Sequence, residues 1–139
     1  MMERDITLSV VSHGQNALVN QLLGDVQRVC AERVSLVLTQ NVPDPLALAA
    51  GNLACPVEII VNRERKGFGA NHNAAFQRCR TPYYCVVNPD IPLTENPVPS
   101  LISIFNDKSA AVAGPLVRNP AGRIEDSVRT ALQQYDWPG

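Results

Sequence analysis

The spacing of apolar residues changes period several times along the chain. Ile6–Ser12 (Ile-Thr-Leu-Ser-Val-Val-Ser) is rich in β-branched residues and predicts a strand, ended by His13-Gly14. Between Gln15 and Cys30 the period lengthens. Leu18, Leu22, Val26 and Val29 form one stripe, widened by Val19 and Leu23, which predicts an amphipathic helix. Val34–Thr39 is a second apolar run, followed by Gln40-Asn41-Val42-Pro43-Asp44, a loop by composition. Leu46–Ala50 has room for one or two helical turns, and Val57–Val61 predicts a third strand. Asn62–Phe68 is charged, contains glycine and reads as a loop. Gly69–Arg80 predicts a helix whose Ala70, Ala74 and Ala75 allow close packing on a sheet. Tyr83–Val87 is a fourth strand. Val98, Leu101, Ile102 and Phe105 then fall at i, i+3, i+4 and i+7, one apolar helical face. Ala110–Val117 returns to strand character, interrupted by Gly114-Pro115. Asn119-Pro120-Ala121-Gly122 is a turn, and Arg123–Arg129 reads as a strand or an irregular excursion.

Strands alternating with helices long enough to cross over predict an α/β fold: a mostly parallel sheet in a three-layer α/β/α arrangement. No repeat, low-complexity tract or linker interrupts the pattern, so residues 1–139 are expected to form one domain. Apolar residues make up 45% and charged residues 18%, enough to build a core. The net charge is −1 and no Lys/Arg cluster marks a nucleic-acid surface. No run of about 18 apolar residues offers a membrane span. Met1–Asp5 leads straight into the first strand without a signal peptide's apolar region, which sets the expected compartment as the cytoplasm. Cys30, Cys55, Cys79 and Cys85 form no C-x-x-C pair and are expected as reduced, mostly buried thiols.

The candidate chemistry lies where the strands end. Parallel strands bring their C-terminal ends to one edge, where open α/β sheets bind ligands. Three segments should meet there: Ser12-His13-Gly14, Gln40–Asp44 and Asn88-Pro89-Asp90. Each carries small polar groups able to hydrogen-bond a base, a ribose or a pyrophosphate. Pro89 has no N–H for a ladder, so the fourth strand must stop and leave the Asp90 carboxylate just past its end. A lone carboxylate beside a phosphate-bearing substrate is a common holder of a hard divalent cation; Asn, Pro and Asp are also ordinary turn formers. Other motifs are absent. Lys66-Gly67-Phe68-Gly69-Ala70-Asn71 lacks the third glycine of a dinucleotide fingerprint, and no Gly-Lys-Ser/Thr or Gly-x-Ser-x-Gly occurs. His13 and His72 have no partners at metal-binding spacing.

Taken in order, these residues resemble a family. Val10-Val11-Ser12-His13, Gln40–Asp44, Gly67-Phe68-Gly69-Ala70-Asn71-His72-Asn73-Ala74-Ala75, Asn88-Pro89-Asp90, Gly114-Pro115 and Asn119–Ile124 look like the nucleotide-binding half of a family 2 glycosyltransferase with the GT-A fold. The Asn-Pro-Asp turn, in place of Asp-x-Asp, is closest to rhamnosyltransferase-like members. The resemblance covers about residues 6–129. It implies that Ser12 and His13 line the base pocket and that Asn41 and Asp44 contact base or ribose. Asn73 would lie near the donor, and Asn88 by its ribose or sugar. Asp90 would hold Mg²⁺ or Mn²⁺ bridging the diphosphate of a nucleotide-diphospho-sugar, a dTDP- or UDP-sugar.

Two positions depart from the family pattern. Gln40 stands where members usually carry a base-reading acid, and Asn88 replaces the first acid of Asp-x-Asp. The family's catalytic base is an acid in the second half of the fold, past the end of this chain in most members. The late acids Glu125 and Asp126 do not match its position. The expectation is therefore a truncated GT-A half, without acceptor side or base, that self-associates through uncovered apolar surface. A catalytically silent nucleotide-sugar-binding or regulatory module, and a nucleotidyltransferase-like enzyme, are the alternative readings.

Overall fold

A computed structural model describes residues 3–124. In chain order they form β1 (Ile6–His13), α1 (Asn16–Val29), β2 (Val34–Val42), β3 (Val57–Val61), α2 (Phe68–Phe76), β4 (Tyr83–Val87) and α3 (Val98–Ser103), with a 3₁₀ turn over Ile104–Asn106. The four strands make one sheet in the order β3-β2-β1-β4, with every pairing parallel. Ile6 lies opposite both Val34 and Tyr83, and Val10 opposite both Leu38 and Val87.

Side chains alternate across a strand, and here the two faces differ in chemistry. Ile6, Leu8 and Val10 of β1 and Val34, Leu36 and Leu38 of β2 point to one face. There they pack against Val19, Leu22, Leu23 and Val26 of α1 and Val98 of α3. Thr7 and Ser9 point to the other face, toward α2 and the turn after it. Thr7 Oγ1 lies 2.7 Å from Thr81 Oγ1, and Ser9 Oγ lies 2.8 Å from His72 Nδ1. The result is three layers, α1 and α3 over an apolar face and α2 over a mixed one, in which Thr7, Ser9 and Thr39 lie beside Val37. The buried stripe of α1 is centred on Val19, Leu22, Leu23 and Val26; Leu18 and Val29 are its half-buried flanks.

Two sequence expectations need correction, and one segment that the sequence left ambiguous is settled. β2 extends three residues past Thr39 because its neighbours carry the ladder on: Gln40 pairs with Ser12 and Val61, and Val42 with His13. Leu46–Ala50 is not helical. Its backbone groups are taken by α1 side chains instead: Asn20 Nδ2 donates to the Ala47 carbonyl, Asn20 Oδ1 accepts the Ala49 N–H, and Asn16 Nδ2 donates to the Leu46 carbonyl. Ala110–Val117 forms no strand. Gly114-Pro115 interrupts the run where a ladder would need a donor. The nearby pairing is a single antiparallel bridge, Arg118 to Ile124, across a turn in which Gly122 has φ 81°.

Smaller differences follow from local bonding. α2 ends at Phe76 rather than Arg80, with Arg78 N–H turning back to the Ala75 carbonyl and Cys79 N–H to that of Phe76. Gly14, at φ 74°, makes the left-handed turn between β1 and α1 that other residues rarely adopt. Residues 125–129 of the predicted excursion, the acid pair Glu125 and Asp126, and the tail to Gly139 lie outside the described residues. All four cysteines are free thiols, and burial pushes Cys30 up to about 11. No helix among the described residues is long and apolar enough to cross a membrane.

Candidate functional site

The chain leaves β1 toward β2 and β3 on one side and returns to β4 on the other. The order therefore reverses between β1 and β4, and a crevice opens beyond their C-terminal ends, where such sheets bind ligands. A cleft of about 470 Å³ occupies this position. Val11 and Val87 form its floor. His13 and Gln15 stand on the β1–α1 side, and Asn88-Pro89 closes the β4 side. The remaining wall is the β3–α2 loop, Arg65-Lys66-Gly67, together with Phe68, Asn71 and His72 of α2. Arg65 and Lys66 give this lining two cations, and no carboxylate belongs to it among the described residues.

Three asparagines fix the loop wall. The register between β1 and β2 shifts after Ser12: Ser12 pairs with Gln40 but His13 with Val42, leaving Asn41 as the extra residue of a bulge. A bulge re-aims the side chain it carries. Asn41 is buried here, and its Oδ1 accepts both the Lys66 N–H (2.8 Å) and Asn62 Nδ2 (2.8 Å). Its Nδ2 donates to the Lys66 carbonyl (2.8 Å) and to His13 Nδ1 (2.9 Å). Asn62 Nδ2 also donates to Asn71 Oδ1 (2.7 Å), and Asn71 Nδ2 donates to the Lys66 carbonyl (3.2 Å). Both polar backbone groups of Lys66 are thus held by side chains, so an exposed loop acquires a defined position.

His72 sits behind Phe68, whose ring meets it edge-on at 4.4 Å between centroids. Its backbone carbonyl accepts the Tyr84 hydroxyl at 2.7 Å. Burial pushes the imidazole below the ordinary histidine range, which favours the neutral ring.

Of the residues singled out in the sequence, His13, Asn41 and Asn88 line the cleft. Ser12 is buried beneath it; its hydroxyl donates to Asn16 Oδ1 and accepts the Gln15 N–H, shaping the start of α1. Asp44 is engaged with backbone: Oδ2 accepts the Asn16 N–H and Oδ1 that of Leu46. Asn73 is exposed on α2, two residues past Asn71 and so turned roughly 200° from it around the helix. Asp90 is exposed in the turn closed by the Ile91 N–H on the Asn88 carbonyl (3.3 Å), at the same sheet edge but outside the cleft lining. Gln15, Asn62 and Arg65 were not singled out, and Lys66 and Asn71 stood only in the glycine-bearing motif, without a site role. For Asn62 and Asn71 the signal available was the recurrence of asparagine on both sides of the glycine-bearing loop; for Arg65 and Lys66 it was their charge in that loop.

Among the described residues no three His, Cys, Asp or Glu side chains gather into a set that could hold a metal ion. Comparison with known proteins agrees with the architecture. The chain is similar in fold to a mannosyltransferase from Pyrobaculum calidifontis solved in complex with GDP-Man and Mn²⁺, with a TM-score of 0.66 at 12% identity. That match covers 87% of this chain but only 37% of the mannosyltransferase. No curated protein matches the chain. The fold is of the GT-A type. Residues 37–136, most of the chain, match the family described as glycosyl transferase family 2, and the chain belongs to that family.

Proposed function

We propose that this chain binds a nucleotide-diphospho-sugar with Mg²⁺ or Mn²⁺ and serves the donor side of an inverting glycosyl transfer. The observation that carries this reading is the cleft at the β1–β4 switch point, whose described lining holds Arg65 and Lys66 and no carboxylate. Such a lining favours a polyanion such as a diphosphate. His13 and Asn88 are the groups proposed to meet base, ribose or sugar. Asn41 lines the cleft and holds its loop wall, and Ser12 and Asp44 brace the start of α1 beneath it through the bonds described above. Asn73, turned away from Asn71 on α2 and outside the cleft lining, is not counted among the donor contacts.

The metal fits this arrangement in one way. A cage made wholly of protein ligands is not available among the described residues. Mg²⁺-type ions, however, commonly take one or two carboxylates and complete their shell with water and substrate phosphates. Asp90, exposed at the sheet edge, is the residue that would hold it. When bound, the ion neutralises charge on a departing diphosphate. In an inverting transfer the acceptor hydroxyl attacks the anomeric carbon in line, its proton goes to a base, and the diphosphate leaves. Arg65 and Lys66 would balance the charge of that diphosphate before and after departure.

For the donor, Gln40 in place of an acid removes one base-reading group, and the Asn-Pro-Asp turn supports a dTDP- or UDP-sugar and a rhamnosyltransferase-like role. Calorimetry with UDP, dTDP and GDP, in Mn²⁺ or in chelator, tests the reading. Tighter binding with metal, lost in Asp90→Asn, is expected. Failure of all three nucleotides to bind overturns the reading, equal affinity with and without metal overturns the role of Asp90, and preference for GDP overturns the donor assignment.

A further inference from the structure

The orientation of the Asn41 amide is fixed by a group whose role is beyond choice. The Lys66 backbone N–H can only donate, so the Asn41 atom 2.8 Å from it must be the oxygen. The other end of the amide is then NH₂, which donates to the Lys66 carbonyl at 2.8 Å and faces His13 Nδ1 at 2.9 Å. A donor facing Nδ1 requires that nitrogen to accept. A neutral His13 ring therefore carries its proton on Nε2, which has no hydrogen-bond partner among the described residues, and His13 lines the cleft.

We propose that Asn41 is a positioning residue that locks His13 as the Nε2–H tautomer and so presents a hydrogen-bond donor, selecting a base with a carbonyl oxygen over one with an amino group. The base-reading half rests on the proposed function; the tautomer rests on the Asn41 contacts alone. The bulge at residue 41 gives the lock its reach, because it turns one side chain toward both Lys66 and His13. Uracil and cytosine are a matched test pair, since uracil has a carbonyl where cytosine has an amino group.

The tautomer is read by two-bond ¹⁵N–¹H correlation spectra of the ¹⁵N-labelled full chain, in which the two neutral forms give different patterns. Wild type should show His13 protonated on Nε2. Asn41→Asp keeps an oxygen for Lys66 N–H but places a second oxygen against Nδ1, so the proton should move to Nδ1. Asn62→Ala loosens the asparagine cluster while leaving both Lys66 contacts to Asn41, and should keep the Nε2 form. A wild-type spectrum showing Nδ1–H or an even mixture overturns the lock, whether or not a variant folds; so does an unchanged tautomer in Asn41→Asp. In parallel, wild type should bind UDP about tenfold more tightly than CDP, the effect of one mispaired polar group, and Asn41→Asp should remove most of that ratio. If neither nucleotide binds, the proposed function and base selection fall together while the spectra still decide the tautomer. If both bind with a ratio that Asn41→Asp leaves unchanged, base selection alone falls.

Discussion

His72 Nδ1 lies 2.8 Å from Ser9 Oγ, a short polar contact sealed between α2 and the middle of β1. Ser9 is fully buried and His72 is 5% exposed. Burial lowers the pKa of the ring below the ordinary 6.5. The unfolded chain therefore binds more protons than the folded one once the pH falls below about 6.5, and stability must fall with it. Above that pH both states hold the ring neutral and this contribution is flat. Denaturant melts from pH 7.5 to pH 5 should show the loss, with a slope of at most about 1.4 kcal/mol per pH unit for one proton. His72→Gln should flatten the profile; a wild-type curve that is already flat would remove the argument.

Asp44 acts on a helix it does not belong to. α1 begins without a side-chain cap from Gln15, and Asp44 Oδ2, on the loop after β2, accepts the Asn16 N–H at 3.0 Å. An anionic acceptor at a helix N-terminus satisfies an orphan donor and complements the helix dipole. Asp44→Ala should cost about 1–2 kcal/mol in urea unfolding, and Asp44→Asn less, because the amide oxygen can still accept. Equal stability of Asp44→Ala and wild type would show that water replaces the carboxylate without loss.

Legibility in the sequence followed the source of each element's stability. β1, α1, β3 and β4 are driven by apolar spacing, and their positions could be read from it directly. The end of β2 could not, because Gln40, Asn41 and Val42 are held in the ladder by residues from other strands. Leu46–Ala50 is ambiguous in sequence for the same reason, since Asn16 and Asn20 supply bonds that local propensity does not contain. At the site, His13 is the last residue of β1 and Asn88 follows the end of β4, and both were readable as edge groups. The Asn41–Asn62–Asn71 cluster was not, because it depends on a bulge and on a loop from a distant part of the chain.

The apolar layer beneath α1 should be far less tolerant than the loop beside it. Leu22 is 1% exposed and packs into the cluster that holds Leu8, Leu36 and Val26. Leu22→Ala should lower unfolding free energy by about 2–5 kcal/mol, through lost transfer energy and the cavity left behind. Leu46→Ala is the control, because Leu46 is 48% exposed. It should change stability by less than about 0.5 kcal/mol. Similar losses for the two variants would mean that α1 does not pack as described.

The cleft is expected to bind a donor without transferring its sugar. Transfer needs a base within hydrogen-bond reach of the acceptor hydroxyl, or one water away. No carboxylate lines the cleft among the described residues; His13, as proposed above, already carries its proton on Nε2, and His72 is 5% exposed behind Phe68, away from an acceptor hydroxyl. Asp44 has an oxygen on each of two backbone N–H groups, and Asp90 is the proposed metal holder. Labelled donor, Mn²⁺ and candidate acceptors should therefore give slow donor hydrolysis at most, well under the roughly 1 s⁻¹ of an ordinary enzyme. Glycosylated product at ordinary rates would overturn this. Its loss in Glu125→Gln or Asp126→Asn would then assign the base to that acid pair, outside the described residues.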